Sequence, residues 1–263
     1  MSQGKNSRVD QLKAFNRLLD IMDDLRLQCP WDKEQTMETL RHLTIEETYE
    51  LGDAILDNDL EEVKKELGDL LLHIVFYAKI GAEKNSFDIA DVANSISDKL
   101  IVRHPHIYGD VKVVDAAEVK KNWEAIKMKE GRKSVLEGVP KSLPALVKAT
   151  RIQEKVAGVG FEWEKIEQVW DKVEEELVEL KEEIKNGNQK RIESEFGDVL
   201  FALTNYARFL DVSPENALES TNRKFINRFQ YMEKEIISEG KVMNSLSLDV
   251  LEKYWKTAKK IFI

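Results

Sequence analysis

Two groups of acidic residues are the parts of this chain best suited to chemistry. Glu46, Glu47 and Glu50 are followed by Glu66 and Asp69, and Glu175, Glu176 and Glu179 are followed by Glu195 and Asp198. Every acidic position of the first group recurs 129 residues later, so both groups read E-E-x-x-E, a fixed gap, then E-x-x-D. Residues three or four apart share one face of a helix, so each half-motif aims its carboxylates in one direction. Two antiparallel helices that turn these faces together would hold four or five carboxylates in one pocket, and divalent cations relieve such repulsion most directly. A ligand set of oxygen alone selects hard cations such as Mg2+ or Mn2+ over Zn2+. A di-iron bundle would need E-x-x-H, and no histidine follows Glu176, Glu179 or Glu195 at that spacing.

The elements that must position these groups read as helices throughout. Leu12, Phe15, Leu18, Leu19, Met22 and Leu25 follow the helical period and predict a first helix. Cys29-Pro30-Trp31-Asp32 breaks it, with Trp31 assigned to the core. The first acidic group falls on a helix over about 37–56 and on the next, which turns strongly apolar from Leu70 to Ala78. A helix apolar nearly all round is buried inside a bundle or against a partner subunit. Another helix over 87–103 closes at Arg103-His104-Pro105-His106, read as a turn with an extended backbone and solvated histidines rather than a metal site.

A short charged helix over 120–129 carries Trp123, and the segment 131–144, with its glycines, serines and prolines, is the natural linker. The second half then replays the first. Helices are predicted over 146–156, about 166–184 and through Glu195 and Asp198; Ser213-Pro214 starts another, and 248–260 closes the chain with Trp255. No segment shows sustained two-residue alternation. The expected fold is all-α, two tandem helical-bundle repeats related by internal duplication: residues 1–130, a linker over 131–144, and a catalytic repeat over 145–263.

Composition excludes several classes of function. A net charge of −9 over 263 residues argues against broad nucleic-acid binding, which needs a basic footprint. The longest apolar run, Leu70 to Ala78, is far too short to span a bilayer. The polar amino terminus lacks an apolar core for secretion, and a single cysteine, Cys29, rules out an internal disulfide framework. The expected compartment is the cytoplasm.

The paired motifs, duplicated in a chain of this length, resemble the MazG-type nucleoside triphosphate pyrophosphohydrolases of the all-α NTP pyrophosphatase superfamily. Further segments agree: C-P-W-D-K-E-Q-T at 29–36, E-E-T-Y-E at 46–50, R-H-P-H at 103–106 and G-F-x-W at 160–163. The resemblance implies Mg2+-dependent cleavage of a nucleoside triphosphate between the α and β phosphates, with Mn2+ able to substitute. It also implies a homodimer joined through the helical core. It would make Glu176, Glu179, Glu195 and Asp198 the metal ligands, with Glu175 positioning or deprotonating the attacking water. Lys172, beside Glu175 and Glu176, and Lys224 and Arg228 would contact phosphates, and Trp255 could stack on a base or ribose.

One departure separates the two repeats. Lys99 and Arg103 mirror Lys224 and Arg228, and Trp123 mirrors Trp255, but Leu43 stands where Lys172 would be. Loss of that cation weakens phosphate capture, so Glu46, Glu47, Glu50, Glu66 and Asp69 form a secondary site, weak or inactive. The expected activity is broad in base specificity and serves nucleotide-pool clearing or alarmone-related regulation. The competing reading is a helical scaffold whose acidic faces bind a basic partner and catalyse nothing.

Overall fold

Polar caps decide where the helices begin. In the computed structural model, which describes residues 6–115, 118–119, 122–123, 126 and 134–262, Ser7 and Asp10 form a capping box at the start of α1 (Arg8–Gln28). Pro30 takes the first position of the five-residue α2 (Pro30–Glu34), where a missing N–H removes no helical bond. Thr36 and Thr39 cap α3 (Met37–Leu56) reciprocally. The Asp59 carboxylate accepts from the N–H groups of Glu61 and Glu62 to open α4 (Leu60–Glu83). Asp88 and Asp91 do the same for α5 (Ile89–Arg103), and the one-turn α6 (Pro105–Tyr108) follows. Each cap satisfies backbone donors that the first turn leaves unpaired.

The chain divides into two compact units, Met1–Lys112 and Val113–Ile263. The second carries α7 (Ala145–Ala157), α8 (Ile166–Asn186), α9 (Gln189–Phe209), α10 (Pro214–Ser238) and α11 (Leu248–Ile261), with a 3-10 turn at Met243–Ser245. Among the described residues every regular element is helical, as the sequence predicts. The charged helix expected over 120–129 lies largely outside the described residues.

In the first unit α3 packs along α4, and both lean on α1 through a core of Met22, Leu40, Val75, Phe76 and Ile80. Arg26 ties this core to the loop side: it donates to both carboxylate oxygens of Glu83 at 2.9 Å, to the carbonyls of Asp32 and Gln35, and lies 5.6 Å over the Phe76 ring. In the second unit α8 packs along α9, α7 lies against α9 and α10, and α11 covers α10. Val169, Val173, Val199, Met232 and Ile236 are buried there. The two acidic hairpins turn at equivalent points. Asn58 and Gly187, 129 residues apart, both adopt left-handed backbone with φ of 55° and 72°, a conformation glycine accepts without strain and asparagine better than most residues.

Two details depart from the sequence reading. Trp31 is 54% exposed rather than core, because α2 is too short to turn both Trp31 and Asp32 inward, and Asp32 is the buried one. His104 and His106 are half-buried, not solvated: His104 Nδ1 lies 2.7 Å from the Leu100 carbonyl at the end of α5, the two rings are 5.6 Å apart, and Pro105 starts a helical turn instead of an extended stretch. Within the chain itself, α4 is covered on only part of its surface. Leu67, Leu71 and Ile74 form an exposed stripe, and Phe196, Leu200 and Leu203, each 129 residues later, form the same stripe on α9.

Candidate active site

Each unit brings three carboxylates to one point. In the first, ligand atoms of Glu47 from α3 and of Glu66 and Asp69 from α4 all lie within 4.8 Å of one another. In the second, those of Glu176 and Glu179 from α8 and of Glu195 from α9 do so. The sets are not equivalent. Glu179 joins its trio while its counterpart Glu50 does not, and Asp69 joins while its counterpart Asp198 does not. Glu46, Glu50, Glu175 and Asp198 are exposed on the margins of the two clusters.

The electrostatics follow from this crowding. Burial, then the charges of Asp69 and Glu50, raise the Glu47 carboxyl above its ordinary range. Glu66 is raised by burial, then by the charge of Glu50, and by sharing a hydrogen bond with Glu47. Glu195 is raised by burial, then by Glu179, Asp198, Glu176 and Glu183. Carboxylates at this separation cannot all ionise cheaply without a counter-charge.

The second unit supplies part of that counter-charge itself. Lys172 Nζ lies 2.7 Å from Glu176 Oε1 and 2.8 Å from Glu175 Oε1, and these two hydrogen bonds push its ammonium pKa well up. The i,i+3 and i,i+4 spacing read from the sequence places all three side chains on one face of α8. In the first unit the equivalent Leu43 packs against the core of Met22, Leu40 and Phe76.

A second cationic group forms on α10 and α11. Arg228 donates from Nε and Nη2 to the Phe262 carbonyl at 2.9 and 2.7 Å and sits 6.0 Å over the Trp255 ring. The Trp255 ring lies 5.0 Å from Phe225. Lys224 is half-buried, one turn before Arg228. Among the described residues no hydrogen bond or ion pair joins this group to the carboxylates of α8 and α9.

One acidic residue escaped the sequence reading. Glu183, one turn beyond Glu179, adds to the charge felt by Glu195. Its Oε1 meets Arg191 at 3.4 Å, while its Oε2 is buried with no hydrogen-bond partner among the described residues. The four-residue step from Glu179 was the available signal. The duplication does not mark it, because position 54, its equivalent in the first unit, is a buried alanine.

A model of the MazG nucleotide pyrophosphohydrolase domain matches the chain twice, over residues 35–108 and 164–232, one match across each acidic hairpin. The chain belongs to the MazG family. It is 42% identical over 258 residues to the nucleoside triphosphate pyrophosphohydrolase of Escherichia coli K12, covering 95% of this chain and 98% of that one. It is 44% identical over 250 residues to the nucleoside triphosphate pyrophosphohydrolase/pyrophosphatase MazG of Thermotoga maritima, covering 93% and 95%. The uncharacterized protein YabN of Bacillus subtilis is 45% identical over 252 residues, 94% of this chain and 52% of its own. In this MazG chain an all-oxygen donor set with buried carboxylates fits a hard divalent cation. Among the described residues no helix is long and apolar enough to cross a membrane.

Proposed function

We propose that this MazG protein hydrolyses nucleoside triphosphates between the α and β phosphates, releasing nucleoside monophosphate and pyrophosphate, and that the carboxyl-terminal unit does so. The observation that carries this reading is the convergence of Glu176, Glu179 and Glu195 within 4.8 Å, with the Lys172 ammonium 2.7 Å from Glu176. Carboxylates beside a fixed cation suit an anionic substrate brought in with a divalent ion, whereas a scaffold for basic partners would have no use for that lysine. Family membership, with relatives named nucleoside triphosphate pyrophosphohydrolase, supports the same reaction.

Glu176, Glu179, Glu195 and Asp198 would hold Mg2+, or Mn2+ in its place. An ion held there would supply charge neutralisation at the phosphate oxygens and the departing pyrophosphate. Glu175, exposed beside Lys172, orients the attacking water and accepts its proton as the water oxygen bonds to the α-phosphorus. The bond from that phosphorus to the bridging oxygen breaks, and pyrophosphate leaves. Lys172 exchanges its carboxylate partners for phosphate oxygens. Lys224, on α10, would contact the remaining phosphates. Arg228, already held by the Phe262 carbonyl, keeps the Trp255 face in place for a base or ribose.

Stacking on an aromatic face is tolerant of base identity, consistent with broad specificity and with clearing of the cytoplasmic nucleotide pool or alarmone-related regulation. The test is incubation with mixed nucleoside triphosphates and Mg2+ while following both phosphate products. Pyrophosphate with monophosphate is expected. Orthophosphate with diphosphate would place the cut at another bond, and no product with either Mg2+ or Mn2+ would favour the scaffold.

The repeated stripes Leu67/Leu71/Ile74 and Phe196/Leu200/Leu203 are the surfaces through which two copies would pair. A Leu200→Lys variant should run as a monomer in light scattering at micromolar concentration where the parent runs as a dimer. A parent that is monomeric there would remove the homodimer.

A further inference from the structure

Trp255 stands on a helix that apolar packing holds weakly. Among the described residues of α11 only Ala258 is buried, and Leu248 at its start is 72% exposed. Polar tethers fasten α11 to the end and the middle of α10 on either side of Trp255 in the chain. After it, Arg228 donates to the Phe262 carbonyl at 2.9 and 2.7 Å. Before it, the Tyr254 hydroxyl donates to Glu239 Oε2 at 2.6 Å. Lys241 Nζ donates to that same oxygen at 2.6 Å and to the Tyr254 hydroxyl at 3.2 Å, and lies 5.8 Å over the Tyr254 ring. The local sequence builds this cluster. Glu239 caps the end of α10, and Gly240 takes left-handed backbone with φ of 69°, which turns Lys241 back beside Glu239. An exposed lysine–glutamate pair alone contributes little. Here a phenol joins them, and a hydroxyl that donates to a carboxylate makes a short, charge-assisted bond. Hydrogen bonds from Lys241 and then Tyr254 hold the Glu239 carboxyl below its ordinary range. In the first repeat Asn122 precedes Trp123 where Tyr254 precedes Trp255, so that repeat has no phenol at this place.

We propose that Tyr254, held by Glu239 and Lys241, is a positioning residue for the nucleoside end of the substrate. Neighbouring residues on a helix point about 100° apart, so a bond that fixes Tyr254 also fixes the direction of Trp255. The indole, 5.0 Å from the Phe225 ring, is thereby kept in place for a base or ribose. This role rests on the stacking proposed above. It leaves the phosphate end of the substrate to Lys172 and Lys224, so the tether affects binding of the nucleoside and not of the phosphate chain.

The experiment is calorimetric titration of the full chain, in Mg2+, with an α,β-methylene nucleoside triphosphate and separately with inorganic tripolyphosphate, which lacks the nucleoside. Trp255→Ala should weaken the nucleotide analogue by about tenfold, the scale of one base–aromatic stack, with tripolyphosphate unchanged. Tyr254→Phe keeps the ring and loses only the hydroxyl; it should weaken the analogue by about threefold or more, as loss of one hydrogen bond allows, again with tripolyphosphate unchanged. Glu239→Ala should match it, and Glu239→Gln should lose less, because an amide oxygen still accepts from the phenol. In the Trp255→Ala background Tyr254→Phe should change nothing further. Parental affinity for the analogue in Tyr254→Phe would overturn the proposal. So would equal losses for analogue and tripolyphosphate, or full additivity of the two substitutions. Parental affinity in Trp255→Ala, or a parent that binds no analogue, would defeat the stacking reading and this role with it, so failure of the tether alone is told apart from failure of that reading.

Discussion

Glu176→Ala should lower pyrophosphate release by on the order of 10²–10³-fold, the loss that follows removal of one preorganised charge-stabilising group, while Glu47→Ala keeps most of the turnover. Glu176 is the buried member of its trio, and it is the carboxylate that both meets its neighbours within 4.8 Å and pairs with Lys172. Removing it takes a proposed cation ligand from the site and leaves Lys172 with Glu175 alone. Glu176→Gln keeps the volume but removes the charge, so its rate should fall as steeply; a Gln variant near parental rate would mean that packing, not charge, is what Glu176 supplies. Glu47 occupies the same place in a cluster without the lysine. Steady-state rates of both alanine variants, measured where each is folded, decide between the units. Retained turnover in Glu176→Ala with loss in Glu47→Ala would move catalysis to the amino-terminal unit.

Phe76→Ala should destabilise the amino-terminal unit by about 3–5 kcal/mol, the cost of truncating a buried aromatic in a core that relaxes only partly. The Phe76 side chain is 2% exposed and packs with Met22, Leu40 and Ile80. Its ring also carries the Arg26 guanidinium at 5.6 Å, which holds Glu83 at the end of α4. The truncation therefore removes packing and loosens an ion pair together. Guanidinium unfolding should show a transition of the first unit shifted to lower denaturant, with the turnover proposed for the carboxyl-terminal unit spared. A loss below about 1 kcal/mol would show that the site is less tightly packed than a core.

Much of this architecture was legible in the residues themselves. Helix starts were readable because a capping serine, threonine or aspartate acts within three residues of itself, as Ser213 before Pro214 does on α10. The duplication was legible at acidic, apolar and turn positions alike, down to Asn58 and Gly187 at the hairpin turns. Lys172 beside Glu175 and Glu176 was readable for the same local reason, since an i,i+4 spacing fixes both residues to one face of one helix.

What the tertiary structure decided lies between helices. Spacing along a helix places a carboxylate on a face, but the distance across to the next helix depends on how that pair packs, at separations of roughly 8–10 Å between axes. The two units therefore select different members of the same motif, Asp69 in one and Glu179 in the other. The same limit hid the outward stripe on α4, because a run such as Leu70 to Ala78 does not say which residues its own chain can cover. It also hid the tether of Arg228 to the Phe262 carbonyl, 34 residues away along the chain. Residue types and short spacings determined the helices, the repeat and the acidic chemistry; packing across the hairpins decided which charges meet and which are left without a partner.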